Sequence, residues 1–449
     1  MSSPAQVPLT RRQRLLLIGL VLGVTLVAFE VTAVVTAMPT IADQLHGDSL
    51  FGLATAVYTL ANMVALVAAG ELADRRGPTL PYVLSIITFI TGLLVAAWAP
   101  TMVWIVIGRL LQGAGTGGFA PIAYTLVQRA MPVERQPKMF AILSAGWVLP
   151  SLFAPALSGW VVDAFGWRWV FLGIIPFAIT VGVLAVQPMR RIGSIAADRP
   201  NSRIGFAVMA AGGIGALATG LQMAHPWEVA TVAAPGALVA WWALRRLLPH
   251  GVLRAATGLP AILACRILAT AAFLGADTFI PLAADRIHGA RPLVQGFVVI
   301  GAALSWTLGQ WLRARRPGLD PASAVRHGFM VMTLGVLLVT PVLWPGWPLA
   351  ATFAGWCVGG LGMGLLFNPT TVATMTYAEP GHEGFVSSQV SLADAVGFSL
   401  MGGLGGASVA IAGRTSLTIN GALGINFAIA IALTCVGAFV ASPRIRRAG

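Results

Sequence analysis

The chain has 449 residues, of which 57% are hydrophobic and only 10% charged. Soluble domains carry about 25% charged residues, so this composition excludes a water-soluble globular protein. The net charge of +13 does not mark a nucleic-acid binder either, because the basic residues stand in short bursts between apolar runs. A nucleic-acid surface would gather them on one solvated face.

The first apolar run, from Leu15 to about Met38, is too long for the core of a cleaved leader and reads as a spanning helix. A span needs about 20 apolar residues. Fourteen runs meet that requirement, and the first six cover approximately 15–38, 50–70, 80–99, 102–128, 138–161 and 168–187. Two follow at 204–222 and 229–247, and six more at 259–286, 293–311, 323–343, 347–376, 386–412 and 418–441. The stretch from Gly359 to Pro369 invites a kink or break. Cys265, Cys357 and Cys435 all lie inside apolar runs and read as small core residues.

The basic residues orient the chain. Bursts such as Arg11, Arg12 and Arg14, Arg75 and Arg76, Arg190 and Arg191, Arg245 and Arg246, Arg313, Arg315 and Arg316, and Arg444, Arg446 and Arg447 all fall on one side. That side holds twenty-two Lys or Arg; the other holds Arg168, Arg286, Arg291 and Arg414. Positive residues stay in the cytoplasm, so both termini are expected inside.

A repeat organises the spans. Thr36-Ala-Met-Pro-Thr-Ile-Ala-Asp-Gln-Leu-His-Gly47 matches Thr278-Phe-Ile-Pro-Leu-Ala-Ala-Asp-Arg-Ile-His-Gly289 at a shift of 242 without gaps. Gly113-Ala-Gly-Thr-Gly117 echoes Gly360-Leu-Gly-Met-Gly364. The last six spans thus read as a parallel copy of the first six. The expected architecture is all-α: two six-helix bundles, residues 1–200 and 259–449, with an inserted two-helix linker at 201–258.

Several motifs fall in order on this frame. Gly70-Glu-Leu-Ala-Asp-Arg-Arg-Gly77 resembles the signature loop of the major facilitator superfamily, although Pro78, Thr79 and Leu80 replace its usual basic residues. Arg109-Leu-Leu-Gln-Gly-Ala-Gly115 resembles that superfamily's second motif. Ala154-Pro-Ala-Leu-Ser-Gly-Trp160 is similar to its antiporter motif, with Pro150, Ala154 and Ser158 where glycines are usual. Trp167-Arg-Trp-Val-Phe171 and the acidic first span around Glu30 resemble its fourteen-span drug:proton antiporters. The resemblance implies a monomeric multi-pass transporter of the plasma membrane that exports drugs or small metabolites against protons by alternating access. It also implies conformational roles for Gly70, Asp74, Arg75, Gly77, Pro155 and Gly159. Asp74 is expected to accept from free backbone N–H groups at the start of the thirteenth span, near Ser387.

Charge inside a bilayer costs roughly 2.5–3.5 kcal/mol per residue on insertion scales, so each such residue asks for a reason. Glu30 lies roughly 6 Å outward of the middle of its span, and Asp277 sits comparably in the repeat partner. A carboxylate there can hold a proton or a cation, the competition that exchange requires. Arg109 must find an acceptor: Glu30, an anionic substrate, or a purely structural partner. Gln112 lies one turn along nearly the same face. Ser387, Ser391 and Asp394 form one stripe, and Asn368 with Pro369 can open backbone carbonyls. No nucleotide-binding glycine loop, metal cluster or nucleophile with a base is present in the sequence, so neither an enzyme nor a cofactor is expected. Export of a lipid or an endogenous metabolite stays open beside drug export.

Overall fold

A computed structural model describes residues 9–190, 192–193, 202–221, 223, 226–315, 320–412 and 418–445. Of the basic residues named above, Arg191, Arg316, Arg414, Arg446 and Arg447 lie outside them. The chain forms two compact units, Met1–Ala207 with Ala378–Ser391, and Val208–Tyr377 with Leu392–Gly449.

The first unit contains α1 (Arg11–Gln44), α2 (Asp48–Arg76), α3 (Thr79–Ala97), α4 (Met102–Thr116), α5 (Phe119–Ala130), α6 (Gln136–Ala145), α7 (Val148–Phe165) and α8 (Arg168–Met189). A capping box starts α1: Thr10 Oγ1 accepts from the Gln13 N–H while Gln13 Oε1 accepts from the Thr10 N–H. The expected fourth and fifth spans are not single helices. Each lapses at a glycine, Gly117–Gly118 and Gly146. In both places a proline four residues on, Pro121 or Pro150, cannot donate to the carbonyl behind it.

The second unit takes in most of α9 (Ile204–Gly220), then α10 (Pro226–Glu228), which runs through a π turn into α11 (Ala234–Leu247). It continues with α12 (Leu259–His288), α13 (Pro292–Ala314), α14 (Pro321–Val339) and α15 (Leu349–Met375), then the later part of α16 (Glu383–Ala412) and α17 (Ile419–Val436). The run from Gly359 to Pro369 stays within α15 without a break. The repeat is visible in the backbone: Pro39 and Pro281 occupy matching interior positions of α1 and α12.

Among the described residues, eight helices are long and apolar enough to cross a membrane. Outward faces are apolar at helical spacing on two of these helices and on the shorter α4: Leu84 and Ile87 on α3, Leu334 and Leu337 on α14, and Val103, Ile107 and Leu110 on α4 are all exposed. Such stripes suit hydrocarbon as solvent, and the chain is a multi-pass membrane protein.

Polar contacts gather the helix ends of the first unit. Gln13 donates to the Ala130 carbonyl (2.7 Å) and Arg12 Nε to the Pro188 carbonyl (3.0 Å), at the start of α1 and the ends of α5 and α8. At the opposite ends, Trp167 Nε1 donates to Gln44 (3.0 Å) and Arg168 to the Ala99 carbonyl (3.3 Å).

Candidate functional site

Glycine sets the geometry of the first polar cluster. A Cβ on Gly113 would stand 2.1 Å from the Tyr58 carbonyl, so only glycine lets α4 come this close to α2. That approach lays the Arg109 guanidinium 4.0 Å from the centre of the Tyr58 ring. Arg109 Nη1 donates to Glu30 Oε1 and, at 2.8 Å, to Gln112 Oε1. Gln112 Nε2 in turn donates to the Gly92 carbonyl of α3 (3.2 Å). Glu30 and Gln112 are fully buried and Arg109 nearly so. Glu30 Oε2 has no hydrogen-bond partner among the described residues. Glu30, Arg109 and Gln112 thus form one cluster, and Tyr58 is a member the sequence did not single out.

The second unit builds a counterpart with different chemistry. Trp356 precedes Gly360 by four residues, as Arg109 precedes Gly113. A Cβ on Gly360 would meet the Ala302 carbonyl of α13 at 2.2 Å, repeating the close approach of α4 to α2. Trp356 Nε1 donates to Asp277 Oδ1 at 2.7 Å. Its ring stacks on Phe273 (4.9 Å, 16° between planes), and Phe273 meets Trp306 edge-on at 5.1 Å. The carboxylates themselves are not equivalent. At the repeat shift of 242, Glu30 matches Ala272 and Asp277 matches Val35, so the two lie on different faces of their helices.

Asp394 belongs elsewhere in this unit. Arg266 grips it with Nε to Oδ1 at 2.6 Å and Nη2 to Oδ2 at 2.8 Å, and Thr270 adds a hydroxyl at 3.0 Å. Arg266 Nη1 also donates to Thr371 Oγ1 (2.6 Å) and the Phe367 carbonyl (2.9 Å). Its guanidinium lies 3.4 Å over the Phe367 ring. Asn368, next to Phe367 in the chain, is buried. The stripe on α16 divides likewise. Ser387 shares a hydroxyl contact with Thr125 at 2.9 Å, while Asp394 turns to Arg266.

The signature loop is tied down within the first unit. Asp74 accepts from the backbone N–H groups of Gly384 and Phe385, both at 2.7 Å, in the first turn of α16. Arg129 Nη2 reaches Asp74 Oδ1 (3.2 Å) and Glu383 Oε2 (2.6 Å). Gly70 permits the contact, since a Cβ there would stand 2.4 Å from the Gly384 carbonyl. Gly77 ends α2 with φ at 82°, which favours glycine. Arg75 sits 3.6 Å from Glu71 with its side chain 40% exposed. In α7, Pro155 is exposed and Gly159 has open space around it. Ser158, which stands where the antiporter motif has glycine, makes the contact instead: its hydroxyl donates to the Ala33 carbonyl of α1 at 2.7 Å.

Tyr58, Trp356, Arg129 and Glu383, all neighbours of these polar groups, escaped the sequence reading. Trp356 carried a signal, being a tryptophan deep inside a run rather than at its end, in the Arg109 position of the repeat. Arg129 and Glu383 lie at helix ends, where charge is ordinary and announces nothing.

The sequence profile of the Major Facilitator Superfamily matches residues 20–402. An uncharacterized MFS-type transporter of Mycobacterium tuberculosis is 29% identical over 319 residues, covering 66% of this chain and 45% of that protein. The matched part of this chain therefore spans under half the length of that relative. A probable multidrug-efflux transporter of the same organism is 24% identical across 95% of this chain and 94% of its own length. Among solved structures, the human organic anion transporter MFSD10 superposes with a TM-score of 0.69 at 13% identity, covering 95% of this chain and all of that one. With profile, relatives and fold in agreement, the chain belongs to the Major Facilitator Superfamily, a family of membrane transporters of small molecules rather than enzymes.

Proposed function

We propose that the chain is a proton-coupled exporter of hydrophobic or cationic small molecules. The observation that carries this reading is Glu30: a wholly buried carboxylate, paired on one oxygen with Arg109 and left without a partner on the other among the described residues. Arg109 balances the ionised carboxylate, and a proton taken up at the other oxygen weakens that pair, so proton binding is linked to the geometry of the site. Asp277, with a neutral indole donor, is the second carboxylate of the site, where a substrate's positive charge can be balanced. Relatives named for multidrug efflux support the direction and the substrate breadth.

In this reading the protein is a monomer in the plasma membrane with fourteen spans and both termini inside. Residues 1–200 and 259–449 are the rocking bundles, 201–258 the inserted pair, and Asp74 with Gly70, Arg75 and Gly77 the hinge-side lock. The gathering of the α1 start with the ends of α5 and α8 supports the parity of this topology. In a background without native cysteines, Gly193→Cys and Arg291→Cys label from opposite sides of sealed vesicles. Labelling from the same side removes the fourteen-span topology.

The coupling is tested in inverted vesicles with a panel of lipophilic cations and neutral drugs. Uptake follows an imposed pH gradient and stops when the gradient is collapsed at constant membrane potential. Uptake that ignores the gradient for every compound overturns proton coupling.

A further inference from the structure

Two carboxylates on α2 each hold the start of another helix. Asp74 takes the first-turn N–H groups of α16, at Gly384 and Phe385. Glu71, three residues earlier and so on nearly the same face, accepts from the backbone N–H of Arg203 at 2.6 Å and the hydroxyl of Ser202 at 3.0 Å. Those two residues immediately precede α9. Both carboxylates therefore satisfy donors that a helix start leaves orphaned, and both sit where the helix dipole favours negative charge.

The two grips are joined. The Arg203 guanidinium lies 4.5 Å over the ring of Phe385, the residue whose N–H Asp74 holds. Asp74, Phe385, Arg203 and Glu71 thus close a ring back through α2, and every member lies in the first unit. Glu71 is only 8% exposed, and its contact with the half-solvated Arg75 at 3.6 Å is too loose to account for that burial.

We propose that Ser202–Arg203 is a strap over the signature loop, with Glu71 and Arg203 as positioning residues. They hold Phe385 where its N–H meets Asp74. Through them the start of α9 is coupled to the grip of α2 on the start of α16. The consequence for transport rests on the reading of Asp74 as a conformational residue. The coupling itself is independent of substrate, ion and direction.

Hydrogen exchange on the full-length protein in nanodiscs reads the coupling directly, because each grip protects a backbone amide. Arg203→Ala raises exchange at Gly384 and Phe385 by about fivefold or more, the low end of ordinary coupling between sites. Phe385→Leu, which keeps the N–H and removes the ring, gives the same rise. Coupling is reciprocal, so Asp74→Asn raises exchange at Arg203 by a comparable factor. Arg203→Lys keeps a cation over the ring and restores most of the protection, which a general loosening of the fold does not do. If Arg203→Ala or Phe385→Leu leaves exchange at Gly384 and Phe385 unchanged while Asp74→Asn raises it, the strap is passive and the proposal fails. Transport by these variants is measured alongside, so that loss of coupling and loss of export are told apart.

Discussion

The same scaffold position carries an arginine in one half of the chain and a tryptophan in the other. Arg109 and Trp356 each stand four residues before a close-packing glycine, and each donates an N–H to a carboxylate on the first helix of its repeat. The two segments share the donor's place and differ in its charge. The acceptors have not stayed in register, since Glu30 and Asp277 occupy non-equivalent positions. The lesson is that a buried carboxylate selects for a donor within reach, and the scaffold offers that donor from one helix position. A permanent cation beside Glu30 balances a negative charge wherever it is formed. An indole beside Asp277 satisfies one lone pair and supplies no charge.

The largest effect is expected at Glu30. Glu30→Gln keeps size and hydrogen-bonding capacity but cannot release a proton, so pH-driven export falls to the level of protein-free vesicles. Binding of neutral compounds survives and is read as a ligand-dependent rise in melting temperature. Gradient-driven export at wild-type rate by the Glu30→Gln, Asp277→Asn double variant would remove both carboxylates from the coupling.

Next comes Arg109. Arg109→Met strands Glu30 as an unpaired buried charge, and removing one partner of such a pair costs about 3–5 kcal/mol of stability. The pairing is tested by adding Glu30→Gln to Arg109→Met, which recovers most of the lost stability. A double variant as unstable as Arg109→Met alone means that Arg109 serves packing on Tyr58 rather than charge balance.

Much of this comparison was legible beforehand. The apolar runs, the sequence repeat and Glu30 as one of the acceptors open to Arg109 follow from residue types and from the cost of intramembrane charge, both of which depend on local sequence. The grip of Asp74 on the start of α16 was readable from the resemblance of its loop to the family's signature, together with the orphaned N–H groups that any helix start presents. What was not legible depended on which face a side chain takes. Asp394 looked like a member of the polar stripe with Ser387, yet Arg266 claims it across α12. The breaks at Gly117–Gly118 and Gly146 turn on a proline four residues later, a cue that many unbroken helices share: α1 carries Pro39 without interruption.

Asp277→Asn is expected to weaken export several-fold, and chiefly for cations, because a neutral amide cannot balance a substrate's charge. Turnover of neutral drugs changes little. An equal loss for cations and neutral compounds assigns Asp277 to proton coupling instead, beside Glu30.

The smallest effect belongs to Trp356, and it separates the two donors most directly. Trp356→Phe keeps an aromatic surface for the stack with Phe273 and removes only the N–H that Asp277 Oδ1 accepts. A fully buried acceptor left without its donor costs about 1–3 kcal/mol, and this half-buried one costs less, so the variant melts slightly lower but still folds. If the indole merely orients the carboxylate toward a visiting cation, the apparent KM for cations rises while kcat is nearly unchanged. Should kcat fall with KM constant, the indole acts on a conformational step. Trp356→Arg then completes the comparison, because it rebuilds the arrangement of Arg109. A fixed cation beside Asp277 takes the place of the substrate's charge, and export of cations drops further than in Trp356→Phe while neutral substrates are spared. Equal export of cations by the two variants would mean that the charge of the donor is irrelevant in this half.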